Sequence, residues 1–304
     1  MTASNVCVAI CTHNRPTQLR ALLDGLVAQD TQQTFPVIII DNGFDPAAPI
    51  VEAFQDRLPI TLETIPEEGL AAVRNRALQL GLDKGCEFLV FIDDDEVPTQ
   101  SWLSALIQCQ DDTNADLVFG PVLATYHGTP PNWVTAGGFF ERWGDTPGSG
   151  NALIRLGCLP RDPSDWFQHA FALTGGEDAE FFDRLMVDGA TRAIAPDAIA
   201  YEDTPPARTT VRFIWRRGVR DGVVIARRIG LSDATLGSKL LAGMQKSLAK
   251  LGYALNHFFW AIFTPWRAVK AIGDLGSALA IPLYALGYRF EFYGQKPKRN
   301  RNYR

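Results

Sequence analysis

The chain is sparing with the residues that cross-link or chelate. Its five cysteines (Cys7, Cys11, Cys86, Cys109, Cys158) are odd in number and form no CxxC pair, which argues against a disulfide framework or a zinc knuckle and suits a reducing compartment. The four histidines, His13, His127, His169 and His257, are scattered, none at metal-ligand spacing from another. The first apolar run has no basic segment ahead of it, so no signal peptide is expected and a cytoplasmic location is. In the C-terminal region the longest uncharged stretch, Leu275 to Tyr288, has 14 residues and contains Pro282, short of the ~20 that span a bilayer. There is no internal repeat and no low-complexity block. Acidic residues nearly vanish late in the chain. Residues 1–204 hold 11 Lys and Arg against 30 Asp and Glu, residues 205–304 hold 18 against 4, and the net charge of -5 is therefore -19 set against +14. Such a division calls for an anionic partner for the basic part, with nucleic acid and an anionic membrane surface as the two candidates.

What remains is the make-up of a folded protein: 304 residues, 46% hydrophobic and 21% charged, enough for one large α/β domain with an appendage. Val6 to Cys11, Val37 to Asp41, Ile60 to Ile65 and Phe88 to Ile92 read as buried strands. Between them Leu19, Leu22, Leu23 and Leu26 recur at helical spacing, and Gly69 to Leu80 reads as a second helix. This alternation predicts a mostly parallel sheet covered on both faces, with ligands at the carboxyl ends of its strands. A further helix is expected over Trp102 to Gln108, a strand over Asp116 to Thr125, and a long irregular loop over Pro130 to Gly150. Beyond them come a strand at Asn151 to Arg155, a helix opened by Thr174 to Asp178, and short strands near Ala193 and at Ile199 to Tyr201. Arg208 to Arg228 and Leu236 to Tyr293 read as helical.

The most informative segment is Asp93-Asp94-Asp95, which closes the apolar run ending at Ile92. Adjacent carboxylates are costly unless a cation or a hydrogen-bond network holds them, and a divalent cation takes such hard oxygen ligands while sharing its shell with phosphates. In extended backbone Asp93 and Asp95 point to one side and Asp94 to the other. A solvated acidic turn is the plain alternative.

Several segments, taken in order, resemble the family 2 glycosyltransferases, which use a nucleotide-sugar donor and invert the anomeric centre. They are Val8 to Arg15, Ala71 to Asn75, Phe91 to Asp95, Gly150 to Ile154, Gly175 to Asp178, Glu202-Asp203 and Pro206 to Arg208, and the resemblance covers roughly residues 5 to 230. Within the family the chain looks closest to bacterial exopolysaccharide glucosyltransferases of the succinoglycan-assembly kind. The resemblance implies a GT-A fold, a Rossmann-like α/β/α sandwich around a mixed, mostly parallel sheet, here over residues 1–230. Residues 231–304 would be a helical, basic, membrane-associating extension.

A nucleotide diphosphate-sugar needs groups that read the base, the ribose and the diphosphate. Thr12, Asn14, Arg15, Asp41, Arg74, Asn75, Asp93, Asp94 and Arg208 are the donor-binding candidates. Asp41 has a turn-stabilising alternative, and Arg74 a solvated one. Arg208, Arg212 and Arg216 recur every four residues, a spacing that on one helix would share a face. The DXD role that the resemblance implies puts Mn²⁺ or Mg²⁺ on Asp95, with Asp93 on the ribose or the metal shell; Glu202 is a third candidate ligand. By analogy with the family's acidic pair, Asp178 is the general base and Glu177 positions the acceptor, although both also suit a helix N-terminus. Trp133 and Trp143 are candidates for stacking on an acceptor sugar. The basic, aromatic C-terminal region, ending in Lys296, Lys298, Arg299, Arg301 and Arg304, suggests a lipid-linked glycan acceptor and a peripheral position on the inner face of the cell membrane; nucleic acid is not the expected partner. The rival readings are a nucleotidyltransferase of related fold and a non-catalytic membrane- or nucleic-acid-binding protein.

Overall fold

The computed structural model of the chain describes residues 6–31, 34–44, 46–66, 69–171, 175–232 and 234–288. Thr174 and the basic residues from Lys296 onward lie outside the described residues. The first half runs β1 (Val6–Thr12), α1 (Pro16–Val27), β2 (Val37–Asp41), α2 (Ala48–Glu52), β3 (Ile60–Thr64), α3 (Leu70–Asp83) and β4 (Phe88–Asp93). These four strands pair in parallel in the order β3-β2-β1-β4. Along β1, Val6, Val8 and Ile10 point into one core layer and Cys7 and Ala9 into the other, the two-residue alternation of a strand. α1 seals the first layer with Leu19, Leu22, Leu23 and Leu26. α3 seals the second with Ala71, Val73, Ala77 and Leu78. Burial on both faces is why these strands read as unbroken apolar runs.

β5 (Glu96–Pro98), α4 (Trp102–Thr113), β6 (Leu117–Phe119), β7 (Val122–Tyr126), α5 (Asn132–Gly137), β8 (Ala152–Arg155), α6 (Glu177–Val187), β9 (Arg192–Ile194) and β10 (Ala200–Thr204) follow. β8 inserts antiparallel between β4 and β6, giving a seven-stranded mixed sheet of order β3-β2-β1-β4-β8-β6-β9, while β5-β10-β7 form a small second sheet. The one strand expected from Asp116 to Thr125 is thus two strands in two sheets. Pro121 offers no N–H to a ladder. Beside it the buried Asn151 amide donates to the Pro121 and Ala198 carbonyls at 2.8 and 2.7 Å and accepts from Trp102 Nε1 at 2.7 Å. The loop expected from Pro130 to Gly150 contains the short α5. Cys7 and Cys86 are joined as a disulfide, their Cα atoms 6.3 Å apart, because the turn into β4 brings Cys86 beneath β1. This corrects the expectation of uncross-linked thiols at one pair; Cys11, Cys109 and Cys158 are free.

Three helices complete the described chain: α7 (Val211–Leu231), α8 (Leu236–Trp260) and α9 (Trp266–Ala285). α7 begins later than expected because Thr210 caps it, Oγ1 accepting from Phe213 N at 3.2 Å. Arg208 stays in the preceding turn, so it shares no helix face with Arg212 and Arg216, which are exposed on α7. The helical stretch expected over Leu236 to Tyr293 breaks at Thr264-Pro265. α9 lies between α7 and α8 at close range. A Cβ on Gly218 would fall 2.0 Å from the Gly273 carbonyl oxygen, and Ser277 Oγ donates to the Gly218 carbonyl at 2.7 Å. α7 therefore packs as part of the C-terminal helical layer. By length and composition α9 is one helix apolar enough to cross a membrane, with 39% of its most apolar window buried within the protein.

Candidate active site

β1 and β4 are neighbours, with Cys11 opposite Asp93, so the Thr12 to Arg15 turn and the Asp93 to Asp95 turn leave the sheet side by side. Asp94 turns inward. It accepts from Thr12 Oγ1 at 2.9 Å, from His13 N at 3.4 Å and from Arg15 Nη1 at 2.7 Å. Arg15 Nη1 also reaches Asp95 Oδ2 at 2.8 Å. Thr12 and Arg15 thereby fix the acidic turn through two of its three carboxylates, Asp94 and Asp95. Asn14, with φ of 55°, accepts from Phe44 N at 2.6 Å and ties this turn to the end of β2. Asp41 is buried there and accepts from Gly43 N and Ala47 N at 2.8 and 2.9 Å, the bonding of a turn stabiliser.

Burial raises the Asp93 carboxyl above its ordinary range, with Arg74 and Arg142 opposing. Burial and then the Asp93 charge push Asp95 up to about 6. Beneath them lies Glu96, fully buried and not anticipated from the sequence, where only its place as a fourth acid after the aspartates could have marked it. Glu96 accepts from Asp93 N at 3.2 Å and from Arg142 Nη2 at 2.7 Å. Burial holds its carboxyl well above the usual range. Arg142 also donates to Glu202 Oε2 at 3.0 Å, and Arg208 to Glu202 Oε1 at 2.5 Å. Arg208 lies 3.8 Å from Asp95 as well, the nearest approach of its guanidinium to the aspartate turn.

Arg74 is not a solvated helix cation. It is 5% exposed, pairs with Glu177, lies 3.7 Å from Asp93 and sits over the Phe167 ring at 5.6 Å. Asn75 is spent on backbone, exchanging both amide hydrogen bonds with Phe167 at 2.9 Å. Glu177 is 3% exposed; burial raises its carboxyl while Arg74 pulls it down. A group so enclosed positions its neighbours rather than meeting a ligand. Asp178, next to it, is half-buried at the open end of α6. Gly175 and Gly176 precede it at φ of 76° and 88°, a left-handed region suited to glycine. A Cβ on Gly148 would come 3.5 Å from Asp178 Oδ2, and one on Gly150 would come 3.0 Å from Asp93 Oδ2. The 148–150 segment therefore lies between the strand-end carboxylates and Asp178. Trp133 packs edge-on against Phe139 at 5.0 Å, whereas Trp143 is 61% exposed.

Among the described residues no three His, Cys, Asp or Glu side chains are grouped so as to enclose a metal ion. Glu202 does not fit as a ligand, since Arg142 and Arg208 hold both of its oxygens. Asp93 and Asp95 do fit. They are hard oxygen donors whose ionised forms are disfavoured by burial, a penalty that a divalent cation relieves while phosphate oxygens complete its shell.

A mixed, mostly parallel sheet with acidic residues at its carboxyl edge is what a GT-A fold presents, and comparison with known proteins gives that class. The Glycosyl transferase family 2 model matches residues 7–155. The succinoglycan biosynthesis protein ExoM of Rhizobium meliloti (strain 1021) is 31% identical over 229 residues, 71% of this chain and 72% of the relative. The hyaluronan synthase of Pasteurella multocida is 24% identical over 66% of this chain, which spans 25% of that relative's length. In fold the chain is similar to S. aureus TarS 1-349 solved with UDP-GlcNAc (TM-score 0.54, 16% identity, 96% of this chain and 95% of that one). It is also similar to the mannosyltransferase PcManGT from Pyrobaculum calidifontis, solved with GDP-Man and Mn²⁺ (TM-score 0.58, 18% identity, 92% and 87%). The chain belongs to glycosyltransferase family 2.

Proposed function

We propose that this glycosyltransferase moves a hexose, with inversion, from a nucleotide-sugar of the UDP type to a hydroxyl of a lipid-linked glycan in cell-surface polysaccharide synthesis. The observation that carries the reading is the placement of Asp178 across the 148–150 segment from Asp93, the carboxylate that closes β4. Asp178 takes the proton from the acceptor hydroxyl as its oxygen attacks the anomeric carbon, and the nucleoside diphosphate leaves from the opposite side. Asp93 and Asp95 would hold a Mn²⁺ or Mg²⁺ ion, which when bound neutralises the charge developing on the leaving diphosphate. Arg74 and Glu177 fix the Asp178 turn from within, and Arg15 holds the aspartate turn in register. The names of ExoM and the Pasteurella synthase support a polysaccharide product, and the ligands of TarS and PcManGT support a nucleotide-sugar donor.

The lipid-linked part rests on α8, whose amphipathicity is inverted. Ser247, Lys250, Ala254 and His257 face inward, while Leu240, Met244, Leu248, Leu255 and Phe259 are exposed. The following turn exposes Ile262 by 81% and Phe263 by 72%. An apolar face of this extent beside lysines suits an anionic bilayer surface. Calorimetry with UDP-, GDP- and dTDP-sugars, with and without Mn²⁺, tests the donor: one class should bind with metal and be lost in Asp95→Ala. Asp178→Asn should keep that binding while turnover falls about 10²–10⁴-fold. Binding of none of the donors would refute the reading. Co-sedimentation with anionic vesicles, abolished by Ile262→Asp with Phe263→Asp, tests the membrane part, and a wild type that ignores vesicles removes it.

A further inference from the structure

Beside the segment that carries Arg142 lies an open pocket of about 210 Å³, walled by α7, α8, α9 and the residues after α5. It far exceeds the ~15 Å³ that one water needs. Phe139, Arg217, Asp221, Lys250, Lys270 and Asp274 line it. Both carboxylates already have partners: Asp221 pairs with Arg220 at 3.1 Å and Asp274 with Lys250 at 3.0 Å. The cations left over have none. Arg217 donates to the Phe139 carbonyl at 3.0 Å, and Lys270 lies over the Phe139 and Trp266 rings at 5.7 and 4.9 Å. Among the described residues no carboxylate lies in ion-pair range of either. Close by, Arg267 Nε and His257 Nδ1 are buried without a hydrogen-bond partner, an arrangement that native interiors seldom leave unexplained. Burial pulls the Arg217 guanidinium below the ordinary arginine range; Asp221 opposes this, and Arg220 and Arg142 add to it.

We infer that this cavity binds a phosphate or diphosphate ester. Half-buried cations with no carboxylate against them, a guanidinium fork on α7 and an ammonium on α9, match an anion with several acceptor oxygens. The position suggests which ester. Arg217 on its wall feels the charges of Arg142 and Glu202, so the pocket lies near the cluster that Arg142, Glu202 and Arg208 form. A diphosphate joining a glycan to a lipid would place its phosphates here, with its sugar toward that cluster. This identity of the ester rests on the transferase reading; the anion site itself does not.

The test is calorimetric binding of farnesyl diphosphate to the full chain, in chelator so that no metal bridges the probe to Asp93 and Asp95. Wild type should bind, and Arg217→Gln and Lys270→Gln should each weaken binding about tenfold or more while metal-dependent donor binding stays within twofold. Equal affinity in wild type and both variants, or no binding by wild type, overturns the site. If no nucleotide-sugar binds but the two variants still lose farnesyl diphosphate, the site stands and only the transferase reading fails. A short-chain phosphatidylglycerol bound with the same sensitivity to both variants supports the site and assigns its phosphate to a bulk headgroup.

Discussion

Replacing Arg74 with methionine would strand Glu177 as a carboxylate 3% exposed, beside Asp93 and Asp178 and with no cation against it. Breaking a buried pair from one side costs about 3–5 kcal/mol, most of it the penalty of the charge left behind. At roughly 2–4 °C per kcal/mol for a large domain, Tm should fall by about 10 °C. The pH dependence gives the mechanism away. Burial already raises the Glu177 carboxyl and Arg74 opposes that, so removing Arg74 raises it further. The deficit against wild type should be greatest at pH 8 or so and shrink on acidification, because a protonated Glu177 needs no cation. Arg74→Met with Glu177→Leu should recover much of the loss, with a coupling of about 3 kcal/mol in the cycle. Denaturant unfolding of the four proteins at two pH values measures all of this. Additive single-variant effects, or a deficit that does not change with pH, would refute the claim that the pair acts as one buried unit.

Gly150→Ala should weaken metal-dependent donor binding and cost about 1–3 kcal/mol, since its Cβ would meet Glu96 Oε1 at 2.5 Å, an oxygen that Arg142 holds in place. A normal donor isotherm from a stable Gly150→Ala protein would contradict that geometry. Asp95 titrates at about 6 in the fold against an ordinary 3.8, so the folded chain holds a proton that the unfolded chain has released between those values. Stability in chelator should therefore fall as pH rises from 3.8 to about 6. Added Mn²⁺ should raise Tm more at pH 7.5 than at pH 5; an equal rise at both would show that Asp95 is not a ligand.

The strands of the parallel half were legible because each is buried on both faces, which writes apolar runs such as Val37 to Ile40 into the chain. The acidic turn was legible for a different reason: three carboxylates at a strand end need an explanation on charge alone. What answers them was not legible. Arg15 reaches Asp94 from 79 residues away and Arg74 reaches Glu177 across 103, and no local spacing encodes such a pairing. Glu96 and Arg142 are ordinary residues in the sequence, and only the fold brings them into contact. α7 starts three residues after Arg208 because arginine periodicity continues through a turn, whereas the Thr210 cap marks where helical hydrogen bonding begins. Gly120-Pro121 divides the expected Asp116 to Thr125 strand, since proline there has no ladder hydrogen to give.

α7 is the element through which these parts act on one another. Near its middle Val224 presses on Gly176, where a Cβ would come 2.5 Å from Val224 Cγ1, so the turn that presents Asp178 is held by a helix outside the sheet. Two turns earlier Gly218 seats against Gly273 of α9, and Arg217 holds the Phe139 carbonyl beside the pocket between α7, α8 and α9. α9 in turn packs on α8, whose exposed side is the apolar face. Close packing makes such a stack stiff, so the position of Asp178 relative to Asp93 and Asp95 is set partly by how the helical layer sits on the sheet. A helical layer placed only for anchoring would need no contact with the Gly175-Gly176 turn. The contact at Val224 gives it a part in holding the turn that carries Asp178.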